Sequence, residues 1–399
     1  MKASQNKTRA FMKPRLHCAR LALFLCGCAA FLNLYATQSI LQTFAEYFHI
    51  SAKVAGWSIT VTTLAVAVTA PFVSRLTGRF EQRTVIAVAA LLLAVPALMT
   101  AYADSFAEVL VWRLIEGMLI PVVFATSVAY IGDRWQGGTV TEVTSLYVAG
   151  TVLGGFAGRF VTGVMTEYVG WREAFELLAV LSLMVGGFIQ FLLPANNRPR
   201  TEQAKGSSSG GFRRPLLAAY AVGFCVLFSQ VAAFTYAGLY LGLPPFNLGP
   251  AALGTLYMVF LLALFVIPIA GRLSKARPHA ELLSVAAMLG VSGSALTLLP
   301  SLWCIVVGLA LSSTGVFLAQ AAANAFITAT ARDNKTGAVG VYLTCYYLGG
   351  SCGAIVPALI WDRWGWGGCV VLIIAFQLLT LLIALTGWKP LKPELIPTP

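Results

Sequence analysis

Three charged residues lie inside long apolar stretches of the sequence: Arg113, Glu116 and Arg159. A charged side chain at the centre of a bilayer costs roughly 2.5–3.5 kcal/mol on insertion scales, so a functional role is the first hypothesis for each. Arg113 and Glu116 are three positions apart and therefore share one face of a helix. We expect Glu116 to bind and release a proton while Arg113 tunes its proton affinity and senses the change of charge. The alternative is a permanent ion pair that only neutralises both groups.

Arg159 lies past the middle of its apolar stretch. If it faces a cavity, its charge would attract an anionic substrate. Two alternatives stay open, because a long basic side chain can reach outward to the membrane surface or pair with Glu167 or Asp104.

Other patterns that carry chemistry are missing from the sequence. It contains no G-x-x-x-x-G-K-[ST] phosphate-binding loop, no Ser-His-Asp or paired-carboxylate arrangement and no zinc-ligand spacing among its three histidines and eight cysteines. We therefore expect no enzyme activity, no cofactor and no metal. The energy for any transport must come from an ion gradient or from the solute's own gradient.

The composition indicates a surface that faces lipid. Of the 399 residues 58% are hydrophobic and 11% are charged, whereas soluble domains carry roughly 25% charged residues. The formal net charge of +12 could indicate nucleic-acid binding. The basic residues, however, fall mainly in the N-terminal tail and in alternate short loops, so we expect no nucleic-acid partner.

Twelve apolar runs recur along the chain, each about as long as the 20 residues that a membrane-spanning helix needs. They predict an all-α membrane protein with twelve transmembrane helices. The runs are 18–43, 54–74, 84–103, 107–131, 142–166, 173–194, 216–240, 252–273, 280–299, 302–330, 339–360 and 367–387.

Lysine and arginine are concentrated in the tails and in every second loop, which places them on one side of this arrangement. One side collects the basic N-terminal tail, the loops that contain Arg75, Arg198, Arg272 and Arg332, and the C-terminal tail with Lys389. Cytoplasmic loops are enriched in basic residues, so we expect both termini in the cytoplasm.

The chain divides into two similar halves. Residues 195–215 read as a flexible linker between a bundle of six helices at 1–194 and a second at 216–399. Residues 147–171 resemble residues 342–366 at a shift of 195 positions, and the two copies share Tyr147, Gly154 and Gly158 with their counterparts. Such a repeat of pseudo-symmetric bundles places a substrate path at the interface between halves.

At these motifs the chain resembles the major facilitator superfamily, and in particular the drug–proton antiporters and arabinose-efflux-type permeases of bacterial inner membranes. The loop after the second run carries Gly78, Arg79 and Arg83 of the family's conformational loop, although Arg75 stands where an aspartate is usual. The fourth run carries Arg113-Leu-Ile-Glu116-Gly117, and the fifth carries a helix-packing series of glycines. That series is Gly150, Gly154, Gly155 and Gly158.

The resemblance implies the major facilitator fold, with runs 1, 4, 7 and 10 lining a central cavity. Polar and aromatic residues there are candidates for substrate contacts, and hydrogen bonding between helices is the alternative. The candidates are Tyr35, Gln38, Arg113, Arg159, Gln230, Tyr236 and Asn324, with Tyr346 on run 11 as an addition.

The resemblance also implies a function. We expect a monomer in the bacterial inner membrane that exports a small organic solute by alternating access coupled to protons. Uptake of an organic anion is the first alternative. A membrane sensor or enzyme that transports nothing is the second.

Overall fold

The computed structural model describes residues 18–135, 138–195, 214–331 and 335–388. Within these ranges all regular elements are helices. Lipid offers the backbone no hydrogen-bond partner, so a chain this apolar satisfies its amides and carbonyls inside helices. The predicted all-α membrane fold is confirmed.

Eleven helices in the described ranges are long and apolar enough to cross a membrane. We number them as spans 2 to 12, and the apolar segment from Cys18 to Tyr47 is span 1. Spans 2 to 12 are Ala52–Phe72, Gln82–Ala101, Phe106–Arg134, Glu142–Tyr168, Trp171–Leu192, Pro215–Leu241, Pro250–Leu273, His279–Leu296, Leu302–Thr330, Gly337–Ile355 and Ala358–Gly387.

Span 1 is broken in the middle. The helix Cys18–Leu32 is followed by a turn, a short 3-10 helix at Ala36–Ser39 and a second helix at Leu41–Tyr47. The sequence predicted one uninterrupted run at 18–43, and the structure corrects this to two helices joined by residues 33–40. Neither helix is long enough alone to cross a bilayer, so the pieces together make the twelfth crossing.

Glycines bring the helices of each half into close contact. A Cβ atom added to Gly150, Gly154 or Gly158 of span 5 would collide with the backbone of span 1. Gly349 and Gly353 of span 11 approach the backbone of span 7 in the same way. Small residues allow such approach, and its recurrence shows that the sequence repeat corresponds to a repeat of helix packing.

Polar contacts join the two halves toward one of the two faces of the bundle. We call these faces the Cys18 face, where span 1 begins, and the Tyr47 face, where it ends. The halves pack through spans 2 and 11 and through spans 5 and 8. Toward the Tyr47 face, Lys53 forms an ion pair with Asp362, and the Glu167 carboxylate accepts a hydrogen bond of 2.8 Å from the backbone N–H of Ala251. These contacts close the Tyr47 face.

Some predictions fall outside the described residues. Residues 1–17, 196–213 and 389–399 hold the basic tail, nearly all of the linker and the C-terminal tail. The division at 1–194, 195–215 and 216–399 and the cytoplasmic placement of both termini therefore stay predictions.

Candidate functional site

Span 4 carries the most deeply buried charges of the described chain. Its helix begins after Ser105, whose hydroxyl accepts a hydrogen bond from the Glu108 backbone N–H at 3.3 Å. The helix then places Arg113 and Glu116 one turn apart on its inner face. Both side chains are fully buried, and Arg113 Nη1 is paired with Glu116 Oε2. The structure thus brings this predicted pair together.

The guanidinium of Arg113 also binds the break in span 1. Nη1 donates to the carbonyl of Asn33 at 3.0 Å, and Nη2 donates to the carbonyl of Leu34 at 2.7 Å. Nε donates to the carbonyl of Ser58 in span 2 at 3.5 Å. Carbonyls at a helix end lack partners within the helix. The guanidinium supplies a donor to the Leu34 carbonyl and a second donor to the Asn33 carbonyl, which also accepts from the Ala36 backbone N–H at 3.1 Å. Arg113 and the broken geometry of span 1 stabilise each other.

Glu116 is only half satisfied. Its Oε1 atom is buried and has no hydrogen-bond partner in the part of the chain that the structure describes. The side chain of Asn33 is similar, because its amide nitrogen donates to Ser182 of span 6 at 2.9 Å while its oxygen has no described partner. A buried carboxylate oxygen without a partner is unfavourable, so it is a place where a proton can bind.

Arg159 lies in an aromatic cage at the boundary between halves. Its Cζ atom is 4.5 Å from the ring centre of Tyr35, 4.7 Å from that of Tyr257 and 5.1 Å from that of Phe260. Nε donates to Gln38 Oε1 at 2.8 Å, and Nη1 donates to the carbonyl of Gly155. A cation over aromatic faces in a dry environment is stabilised by roughly 2 kcal/mol or more per site.

Neither alternative for Arg159 describes this geometry. The residue is 5% exposed, so it does not reach outward to the membrane surface. Glu167 instead binds the amide of Ala251, and Asp104 lies 3.4 Å from Arg172. Among the described residues no carboxylate forms a salt bridge with Arg159.

Gln38 connects this cage to the second half. Its amide nitrogen donates to Thr235 of span 7 at 2.8 Å, while its oxygen accepts from Arg159. Tyr35 and Gln38 both belong to the broken segment of span 1. This segment therefore joins the charges of spans 4 and 5 to the second half of the molecule.

Other predicted residues lie elsewhere. Tyr236 donates to the Ala354 carbonyl at 3.0 Å, a bond between spans 7 and 11. Gln230 donates to Ser313 at 3.5 Å, and its oxygen has no partner among the described residues. Asn324 is exposed in the half of span 10 nearer the Cys18 face, apart from Arg113 and Arg159.

The conformational-loop residues stay within the first half. Gly78 ends the short helix Val73–Thr77, and Arg79 is exposed. Arg83 donates to the Gln190 carbonyl at 2.6 Å and so ties the start of span 3 to the end of span 6.

Sequence reasoning missed part of the cage. Tyr257 and Phe260 lie on span 8, far from Arg159 in the chain. In the sequence, an aromatic residue in an apolar run cannot be distinguished from one that packs in the core or faces lipid. A contact between a cation and a ring has no spacing signature within one helix, so only the fold reveals it.

Comparison with known proteins identifies the class. A sequence model of the Major Facilitator Superfamily matches residues 23–354, which is most of the chain. The chain belongs to the major facilitator superfamily. It is a multi-pass membrane transporter and not an enzyme.

Curated relatives agree with this assignment. The chain is 28% identical to the uncharacterized MFS-type transporter YybF of Bacillus subtilis (strain 168), over 90% of this chain and 91% of that protein. It is 28% identical to the inner membrane transport protein YnfM of Escherichia coli (strain K12), over 96% and 93%. It is 24% identical to the purine ribonucleoside efflux pump NepI of Escherichia coli (strain K12 / MC4100 / BW2952), over 98% of each.

A solved structure has the same fold. The bacterial homologue of the human lysosomal transporter Spinster, in an inward-facing and unoccupied conformation, matches with a TM-score of 0.77 at 15% identity. The match covers 95% of this chain and 100% of that one.

Proposed function

We propose that this protein exports a small organic solute from the bacterial cytoplasm across the inner membrane, in exchange for protons, by alternating access between its two halves. Both termini face the cytoplasm in this proposal, because the basic loops lie on the Cys18 face. The names of two Escherichia coli relatives support the location and the direction, since one is an inner membrane transport protein and another is an efflux pump.

The observation that carries the proposal is that Glu116 has one oxygen paired with Arg113 and one buried oxygen without a hydrogen-bond partner in the described chain. Protonation at Oε1 would neutralise Glu116 and weaken its ion pair with Nη1 of Arg113. The freed guanidinium would then depend more on the carbonyls of Asn33 and Leu34. Because those carbonyls belong to the break in span 1, a change of charge on span 4 alters the segment that contacts the second half.

The closed Tyr47 face fits one state of the cycle. With the Cys18 face in the cytoplasm, this state is sealed against the outside by the pairs Lys53–Asp362 and Ala251–Glu167. A solute for export would enter from the cytoplasm in this state. After the halves rock to the opposite state, a proton would bind from outside. Solute and proton can each shift the equilibrium between the two states only if they bind one state more tightly than the other.

Uptake of an organic anion is the second candidate. Its support is Arg159, a buried cation for which the described residues provide no carboxylate. The direction of proton movement separates the candidates, because an exporter exchanges protons for solute while an importer carries both together.

Everted inner-membrane vesicles test the proposal. Respiration acidifies their interior, and acridine orange fluorescence reports the gradient. For an exporter, solutes added outside meet the cytoplasmic face, enter the vesicle in exchange for protons and restore the fluorescence. Glu116→Gln should abolish this recovery, whereas Glu108→Gln, a change of an exposed acid on the same helix, should retain it. Equal recovery with Glu116→Gln contradicts proton coupling through Glu116.

A further inference from the structure

Five buried tyrosines lie on spans 1, 5 and 11, which belong to different halves of the molecule. We call them the tyrosine cluster: Tyr35 of span 1, Tyr147 of span 5, and Tyr342, Tyr346 and Tyr347 of span 11. Each is at least nine-tenths buried, with exposed fractions between 0% and 8%. Only Tyr35 and Tyr346 were candidates from the sequence.

Ring contacts join the three tyrosines of span 11. The ring centres of Tyr342 and Tyr346 are 5.8 Å apart, and those of Tyr346 and Tyr347 are 5.5 Å apart at an interplanar angle of 89°. Span 11 also packs against span 2 of the first half, where the hydroxyl oxygens of Ser351 and Thr63 are 2.9 Å apart. The cluster therefore crosses the boundary between the halves that must move during transport.

Aromatic surface continues beside the cluster. The ring of Phe124 on span 4 is stacked against that of Tyr347, with ring centres 6.1 Å apart and planes inclined by 25°. Flat rings of this kind offer a planar ligand both apolar area and favourable stacking geometry.

Three hydroxyl groups of the cluster have no hydrogen-bond partner in the described chain: those of Tyr35, Tyr147 and Tyr342. A buried hydroxyl left in this way carries its full desolvation cost, and native proteins rarely tolerate several together without a reason. The backbone of the surrounding helices is already hydrogen-bonded internally. The unpaired hydroxyls therefore point to a partner that the chain itself does not supply.

The charges around the cluster favour one sign of ligand. The Arg159 guanidinium lies over the Tyr35 ring, and no described carboxylate neutralises it. The carboxylate of Glu116 is paired with Arg113. An unneutralised cation in a dry site repels a cationic ligand and attracts a neutral or negative one.

We infer that the tyrosine cluster binds a planar aromatic solute with hydroxyl, carbonyl or carboxylate groups, either neutral or anionic, and rejects organic cations. The rings stack against the solute, and the phenol hydroxyls complete their hydrogen bonds on its polar edge. The inference rests on the proposed function in one respect: the solute that binds here is the solute that is transported.

Binding to the purified full-length protein in detergent tests the inference. The probes are adenosine as a neutral aromatic, 4-hydroxybenzoate as an anionic one and tetraphenylphosphonium as a cation, each followed by the shift of the unfolding midpoint and by calorimetry. We expect at least one of the first two to bind and to raise the midpoint, because a ligand of the folded state stabilises it. Tetraphenylphosphonium should bind at least tenfold more weakly.

Tyrosine-to-phenylalanine variants give a readout that a purely structural role would not produce. Tyr35→Phe, Tyr147→Phe and Tyr342→Phe each remove a hydroxyl with no partner in the chain, so the protein without ligand should keep or gain stability. Affinity for the probe should nevertheless fall about five- to tenfold, the effect of one lost hydrogen bond. Tyr240→Phe, in a ring stacked on Trp366 away from the cluster, is the matched control.

Three results would overturn the inference: no binding of adenosine or 4-hydroxybenzoate, binding of tetraphenylphosphonium as tight as theirs, or cluster variants that behave like Tyr240→Phe. None of these measurements uses a proton gradient. Failure of proton-coupled export in vesicles, with binding intact, would therefore reject the proposed coupling and leave the binding site standing.

Discussion

Arg113 donates a hydrogen bond of 2.7 Å to the backbone carbonyl of Leu34. In a continuous helix a backbone N–H of span 1 would donate to this carbonyl. The fully buried guanidinium of span 4 donates to it instead. The same guanidinium is paired with Glu116. Helix geometry and charge state are therefore linked through one side chain.

The first prediction concerns this pair. Arg113→Leu leaves the buried Glu116 unpaired and the carbonyl of Leu34 without its donor, so the free energy of unfolding should fall by about 3–5 kcal/mol. Adding Glu116→Leu should recover part of that loss, because the unpaired charge is gone. Denaturation of the two single variants and the double variant measures the coupling. Strictly additive losses would contradict a direct interaction.

The second prediction concerns the contact between spans 1 and 5. Alanine at Gly154 places a Cβ atom 2.5 Å from the carbonyl oxygen of Cys28, so the helices must move apart. We expect a loss of about 1–3 kcal/mol. Gly132→Ala is the control, because no atom lies within 4 Å of its added Cβ, and there the better helix propensity of alanine should give no loss. Equal effects at both positions would show that the close packing is unimportant.

The third prediction concerns the closure of the Tyr47 face. Lys53 and Asp362 are partly exposed, so breaking their pair should change the free energy of unfolding by less than about 1 kcal/mol. Asp362→Lys places like charges across the two halves and should favour their separation. A cysteine at Thr63, introduced after removal of the native cysteines, should then react with an impermeant maleimide about fivefold faster.

Two controls accompany this experiment. Lys53→Asp combined with Asp362→Lys should restore the slow reaction, because it restores the attraction. Glu281→Lys, in the pair Arg277–Glu281 within the second half, should leave the rate unchanged. A fast reaction in the charge-swapped protein would remove this pair from the closure.

The fourth prediction concerns Arg159. Arg159→Gln removes the cation but keeps a hydrogen-bonding side chain, so binding of anionic 4-hydroxybenzoate should weaken about tenfold more than binding of neutral adenosine. Arg159→Lys should preserve much of that preference because it keeps the charge. The ratio of the two dissociation constants, measured by calorimetry, is the test. An unchanged ratio in Arg159→Gln would assign the residue to packing alone.

Much of the fold follows from the sequence because the bilayer restricts it so strongly. The lengths of the apolar runs predicted the membrane spans. The glycine series of span 5 predicted that this helix packs closely against a neighbour. The break in span 1 could not be predicted, since residues 33–40 contain neither proline nor glycine. It is stabilised by Arg113 from another span, and that interaction exists only in the folded chain.

The candidate site divides in the same way. Spacing within one helix predicted the pair of Arg113 and Glu116. The cage of Arg159 and the tyrosine cluster combine residues from distant spans, for which one sequence gives no contact information. Asn324 is exposed and lies apart from the buried charges, so its contact with a substrate stays a prediction.

The most direct test of the account is the infrared difference spectrum of the purified protein in lipid as the pH is stepped down. A buried carboxylate that takes up a proton shows a new C=O stretching band of a protonated acid, at a frequency shifted from that of exposed acids. We predict such a band in the wild type and in Glu108→Gln, and its loss in Glu116→Gln. A spectrum in which Glu116→Gln leaves this band unchanged would contradict the claim that Glu116 carries the coupled proton.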